Sequence, residues 1–251
     1  MSWRAPVQVQ AMCTTRTGGV SVAPFDRLNL GDHVGDLAAC VTENRSILQG
    51  SLAARPVFLN QVHGALVARL TADSADGIEA DACVTTQRGI VCTVMVADCL
   101  PVLLTNRVGS FVAAAHAGWR GLAGVGGLGV LEEVVESVQS LEANAPDIMA
   151  WLGPCIGASQ FEVGDEVRDA FASSNLTALR HFTPTTRGKW LADLRGLARQ
   201  RLRAMGVSQF AGNDGSHVWC TVSNPSRFFS HRRDAARLGG SGRMAACIWL
   251  G

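Results

Sequence analysis

The stretch from residue 81 to residue 117 constrains this fold more than any other. DACVTT and GIVCTVMVA are β-branched runs, and VLLT at 102–105 and SFVAAAH at 110–116 flank NRVG, where an Asn and a Gly sit between apolar segments. β-Branched side chains suit a pleated, packed surface, and a short link of that kind predicts a hairpin. The chemistry-bearing residues fall at strand ends: GIVCTVMVA runs into Asp98 and Cys99, and the hairpin's second strand delivers His116 at its exit.

The rest of the chain supplies further elements. VQVQAMCTT reads as a strand that stops at the turn TRTGGVS, which carries Arg16. FDRLNLGDHVGD is irregular, LAACVTENRSILQG has helical spacing ending at Gly50, and VFLN at 57–60 is a short strand leading into QVHG. LGVLEEVVESVQSL is an amphipathic helix, and a helix start just after His116, Trp119 and Arg120 would aim free amides at an anion. IMAWLG is a buried strand, VGDEVRDAFASS and DLRGLARQRLRAMG are helices, and HVWCTV and MAACIWL are strands around FFSHRRDAARLGGSGR. Strands and helices do not alternate regularly enough for a purely parallel wound sheet. The expected architecture is a single α/β domain over 1–251 with a mixed sheet or two packed sheets.

Composition narrows the partners. An apolar content of 47% supports a large core, and 22 basic against 21 acidic residues leave no nucleic-acid footprint. No apolar run is long enough for a membrane span and no secretory signal core is present, so the expected compartment is the cytoplasm. Eight scattered cysteines do not form a disulfide framework, and Cys83 and Cys92 read as small buried apolar residues. The absence of tyrosine excludes a tyrosine acid or radical.

NQVHG, VADCLP and AAAHAGWRGL place His63, Cys99 and His116 beside polar or glycine-rich turns. Two imidazoles and a thiolate suit zinc, and three protein ligands leave a position open for water or substrate. The segments are too far apart for a local zinc knuckle, so the fold must assemble the site.

The ordered motifs TTRTGGVS, LNLGDHVGD, ENR, NQVHG, EADACVT, ADCLPVLL, AHAGWRGL, GPCIG, FEVGDEV, WCT, FFSHRRD and SGR resemble those of the YfiH-type, or laccase-domain, proteins. The resemblance covers nearly the whole chain. It implies a layered α/β/β/α sandwich and a metal triad at His63, Cys99 and His116. Its implied activities are zinc-dependent phosphorolysis of adenosine, inosine and methylthioadenosine with adenosine deamination, hydrolysis of a cell-wall precursor, or phenol oxidation with copper. The chain departs from the pattern at Cys155, where alanine is expected, at SGR in place of TGR, and at His231, where a tyrosine is common.

Phosphorolysis needs guanidinium forks and backbone amides for phosphate. Arg120 suits that need, and Arg16, Arg45 and Asn29 complete the candidate substrate-binding set. Deamination needs a proton shuttle, for which Asp98 is nearest in sequence, although alternation along a strand would point it away from Cys99. Arg232 and Arg233 read as partners of Asp234 or of a helix end, and Trp119 as either a base-stacking ring or a packed turn. Three other readings stand beside the nucleoside enzyme. Cys99 and His116 could form a metal-free hydrolytic dyad acting on a peptidoglycan precursor. Copper in place of zinc would serve a polyphenol oxidase, though six histidines are few for several copper centres. A non-catalytic binding module would need a fourth zinc ligand, for which Cys155 is the candidate.

Overall fold

The computed structural model describes residues 3–141 and 147–251. In chain order the strands are β1 (Val9–Cys13), β2 (Arg55–Phe58), β3 (Val67–Arg69), β4 (Ala82–Thr85), β5 (Ile90–Val96), β6 (Leu100–Asn106) and β7 (Val112–Ala117). Then come β8 (Ile148–Leu152), β9 (Glu162–Gly164), β10 (Phe182–Pro184), β11 (Lys189–Ala192), β12 (Gln209–Gly212) and β13 (Met244–Leu250). The α-helices are α1 (Ala38–Leu52), α2 (Trp119–Ala123), α3 (Val130–Leu141), α4 (Asp165–Ala172), α5 (Leu194–Ala204) and α6 (His231–Leu238).

Two mixed sheets stack face to face. One has the order β1-β13-β5-β2 and the other β12-β8-β6-β7-β4-β3, while β10-β11-β9 forms a small antiparallel sheet. Val57, Cys92, Val94, Ala246 and Ile248 of the first sheet interdigitate with Cys83, Leu103, Val112, Ala114 and Trp151 of the second. Helix α1 covers the outer face of the four-stranded sheet through Leu48 and Leu52 on Phe58, Val91 and Met95. Helices α3 and α5 cover the outer face of the six-stranded sheet through Val134, Val138, Leu197 and Leu202 on Val84, Val102 and Ala115. The result is an α/β/β/α sandwich, and every residue of β4 to β8 is buried because both faces of those strands are covered. Each fully buried Leu or Val contributes about 1.5–3 kcal/mol.

Helix ends follow their sequence. Glu132 accepts from the Gly129 amide at the start of α3, half of a capping box. Asp193 caps α5 by accepting from Gly196, Ser230 caps α6 by accepting from Arg233, and Gly239 closes α6 with φ of 78°. Buried Asn44 on α1 donates to Ser21, Arg27 and Asn29 and accepts from the Val20 amide, which fixes the irregular TRTGGVS and LNLGDH region onto the helix.

The hairpin expected around NRVG is β6–β7, antiparallel with Leu103 facing Ala114. HVWCTV is not the expected strand. Residues 217–219 form a 3-10 turn, with Trp219 donating to Ser216 and Cys220 to His217, and one parallel bridge joins Cys155 to Cys220. The alternation that resembled a strand reflects a turn with one side against the core. FFSHRRDAARLGGSGR contains α6, a helix the periodicity did not reveal because Asp234 is its only buried residue.

Candidate active site

Strand register assembles the site. Pairing of Ala82 with Ala115 sets Asp81 beside His116, whose amide donates to the Asp81 carbonyl at 2.7 Å. Pairing of Leu100 with Ala117 brings Cys99 alongside Gly118. Pairing of Met244 with Val96 carries Arg243 to the place where β5 runs into Ala97, Asp98 and Cys99.

The QVHG segment has no regular secondary structure and is organised by Asp81. The wholly buried Asp81 carboxylate accepts from the amides of Val62, His63 and Gly64 at 3.2, 2.9 and 2.6 Å, and its Oδ1 bonds His116 Nδ1 at 2.8 Å. Burial raises the Asp81 pKa, but the His116 bond and those amides outweigh it and hold the carboxyl below its usual range. His63 sits in the left-handed region with φ of 62°, a conformation that costs a non-glycine residue about 1–2 kcal/mol and that the Asp81 bonds maintain. Gln61 ties the same loop to β5, donating to the Met95 carbonyl and accepting from its amide.

His116 Nδ1 is held by Asp81, so its other nitrogen faces the cleft. There His63, Cys99 and His116 offer ligand atoms that all lie within 4.8 Å of one another. His63 Nε2 is 3.8 Å from Cys99 Sγ, and the two imidazoles meet edge to face with centroids 4.8 Å apart. Two glycines make room: a Cβ at Gly118 would lie 2.9 Å from His63 Cδ2 and 3.0 Å from Cys99 Sγ, and one at Gly121 would lie 2.4 Å from the Gly64 carbonyl oxygen. Burial pushes the Cys99 thiol up, but His116 and His63 more than reverse that and bring it down to about 6. Burial likewise lowers His116, while the Cys99 thiolate and Asp81 raise it to about 9. The bare protein groups therefore form a thiolate–imidazolium pair, and Asp81 stabilises the imidazolium.

Asp98 and Cys99 lie in the bend between β5 and β6 rather than on a strand, and Asp98 has φ of 94°, so strand alternation does not apply and both line the cleft. The Asp98 carboxylate accepts from Thr221 Oγ1 at 2.5 Å and from the Arg232 amide at 2.6 Å, which anchors the start of α6. Cys155 is not among the converging ligands. Its sulfur donates to the Ile156 carbonyl and accepts from Asn213, and burial raises its thiol pKa.

The triad lies in a cleft of about 370 Å³ whose walls include Met95, Ile156, Phe161, His33, His231, Arg232 and Arg243. None of the four residues expected to bind substrate lines it. Arg16 bonds Asp26 and the Pro225 carbonyl, and Asn29 is fully buried and holds the Gly31 and Arg243 amides. Arg45 pairs with Asp32, donates to the Leu30 carbonyl and stacks on Phe58. Arg120 is exposed and stacks on Trp119, which packs against the main core from the start of α2 rather than from a turn. The two basic residues read together also separate: Arg233 bonds Asp234 and the carbonyls of Thr221, Val222 and Phe228, whereas Arg232 lines the cleft. Sequence reasoning missed Asp81 and Arg243, although EADACVT and SGR carry them; nothing local in either motif reveals what it faces.

Fold and site together define a class: a mixed α/β/β/α protein with a three-ligand His-Cys-His cluster that could hold a metal, at the floor of a small-molecule cleft. Residues 10–251 match the model of the family described as multi-copper polyphenol oxidoreductase laccase, and the chain belongs to that family. It is 47% identical to a Pseudomonas aeruginosa protein and 48% identical to an Escherichia coli protein, YfiH, each named a purine nucleoside phosphorylase; both matches cover 99% of this chain and 96% of the relative. The crystal structure of a Neisseria meningitidis protein superposes with a TM-score of 0.89 at 42% identity, covering 99% of this chain and 97% of that one. A Bacillus licheniformis hypothetical protein YfiH gives 0.88 at 32% identity, over 97% and 93%. Among the described residues no helix is long and apolar enough to cross a membrane.

Proposed function

We propose that this chain is a zinc-dependent purine nucleoside enzyme that phosphorolyses adenosine, inosine and methylthioadenosine and deaminates adenosine. The observation that carries the reading is the convergence of His63, Cys99 and His116 in one cleft with Arg243, a half-buried guanidinium that forms no ion pair among the described residues. The names of the relatives supply the substrate class.

The donor set fits zinc: two imidazoles, one of them oriented by a carboxylate, and a thiol already biased toward thiolate. When bound, zinc supplies Lewis acidity at an open coordination position. Asp81 fixes His116 in the tautomer that leaves its second nitrogen free for the site. Arg243 presents donors to phosphate from beside Cys99 and Asp98, and its own backbone is set by Asn29. Met95, Ile156 and Phe161 offer the apolar surface a purine needs. Asp98, committed to Thr221 and the α6 amide, positions that wall.

The test is base release from adenosine, inosine and methylthioadenosine with and without phosphate, on protein of known metal content. Release that requires phosphate, disappears on chelation and returns with zinc is the expected result. Base release indifferent to phosphate, or none, overturns the reading.

The lowered Cys99 thiol supports a second reading, a Cys99–His116 hydrolase of a peptidoglycan precursor. Amide cleavage of a UDP-muramoyl amino acid that survives metal removal and is lost on thiol alkylation would establish it in place of the first.

A further inference from the structure

Four of the chain's six histidines line the one cleft. His63 and His116 belong to the floor, while the other two stand with arginines on its walls. His33 adjoins Arg243: burial, and then the charge of that guanidinium, lowers the His33 pKa. His231 precedes Arg232 at the first turn of α6.

Counter-charge is sparse on these walls among the described residues. Asp98 is the only carboxylate in the lining among the described residues, and its oxygens already accept from Thr221 and the Arg232 amide. Arg243 donates to the carbonyls of Ser241 and Gly242, and Arg232 to the Glu162 carbonyl with its guanidinium 5.6 Å over the Phe161 ring. Neither forms an ion pair among the described residues. Elsewhere the chain provides acids for its arginines: Arg16 has Asp26, Arg45 has Asp32, Arg201 has Glu132 and Arg233 has Asp234. Those four lie outside the cleft and are paired, whereas neither of the two that line it is.

Inorganic phosphate as co-substrate occupies one guanidinium clamp. Arg243, beside Cys99 and Asp98, is the inner one. Arg232 is exposed on the cleft wall, with Phe161 beneath it and His231 next to it, and a neutral nucleoside offers it only uncharged acceptors. We infer that the substrate brings its own anionic group, and that the cleft takes a purine nucleoside 5′-monophosphate whose phosphate is held by Arg232 and His231. A volume of about 370 Å³, near the small end of ligand sites, favours one phosphate over a longer polyphosphate. This rests on the purine nucleoside reading above. In the balanced step, an oxygen of dihydrogen phosphate bonds to C1′ as the C1′–N9 bond breaks. The bonding pair leaves with the base, the phosphate's proton ends on the base nitrogen, and ribose 1,5-bisphosphate is the second product.

Calorimetric titration of the metal-loaded protein with adenosine and with adenosine 5′-monophosphate tests this. The monophosphate should bind about ten- to a hundredfold more tightly, the range that charge-assisted hydrogen bonds give. Arg232→Ala should remove most of that advantage and Arg232→Lys should restore part of it, with unchanged thermal unfolding in both because the side chain is exposed. Equal affinities, or an advantage that survives Arg232→Ala, overturn the inference. Adenosine phosphorolysis without a monophosphate advantage would leave the proposed function standing and remove only the second clamp. A monophosphate advantage without base release from either ligand would do the reverse.

Discussion

The floor and the walls of the cleft treat charge in opposite ways. On the floor, the Asp81 carboxylate meets three amides and an imidazole, and Cys99 and His116 bring each other toward thiolate and imidazolium. On the walls, Arg232 and Arg243 lean on backbone carbonyls and an aromatic ring and form no ion pair among the described residues. A buried charge is costly unless bonded, so the floor must be satisfied from within for the protein to fold. An exposed or half-buried guanidinium keeps its water and can wait for a ligand. The floor is thus part of the fold, and the walls, on the proposed function, are part of the binding reaction.

Substitutions on the floor should break this contrast most strongly. Replacing Cys99 by Ser removes the only soft ligand, and elemental analysis should find no stoichiometric zinc and assays no turnover; full zinc occupancy in that variant would remove Cys99 from the ligand set. Asp81→Asn follows in size. It places an amide among three N–H donors and frees the His116 ring, so metal affinity should fall by about 10–100-fold and stability by about 1–3 kcal/mol, read by competition with a chelator and by chemical denaturation. An unchanged stability would show that the QVHG segment does not depend on Asp81.

Gly118→Ala sharpens the comparison by separating site from fold. Gly118 has φ of −71°, which alanine adopts freely, so the only cost is the collision of its Cβ with His63 and Cys99. Because the exposed His63 ring can turn aside, zinc should bind about tenfold more weakly while the unfolding midpoint barely moves. The smallest effect is a pH shift. A thiol lowered from 9.0 to about 6 remains a thiolate above that pH, so alkylation of Cys99 in metal-stripped native protein should fall only as pH drops through about 6. His116, raised to about 9, supplies the counter-ion across the same window and loses its proton above it. The unfolded chain should instead lose reactivity as pH drops through about 9, and coincident native and unfolded profiles would show that the pair does not form.

The floor was also the more legible half. His63, Cys99 and His116 stand out because ligand side chains follow strands or turn signals, and the β6–β7 hairpin is visible in its link. Asp81 is not, since within EADACVT it is one acid among small residues and acts only through the register of β4 with β7. Arg243 escaped for the same reason, because its place depends on β13 pairing with β5. Arg16, Arg45 and Arg120 drew notice as cations near motifs, but a guanidinium's partner is decided by tertiary packing, and each is occupied elsewhere. Helix α6 escaped because its one buried residue is an aspartate, and the turn at 217–219 because its alternation imitates a strand.

The position of β13 in the sheet order β1-β13-β5-β2 bears on how the molecule is made. On the ribosome, β1 and β5 emerge long before the strand that separates them, so they must stay apart without their shared neighbour or pair wrongly with each other. Such waiting edges are open to aggregation and invite chaperone attention. Arg243 immediately precedes β13, so this cleft-lining guanidinium arrives with the strand that completes the sheet. A chain interrupted before that point would carry His63, Cys99 and His116 and still have neither a closed core nor the Arg243 wall of the cleft.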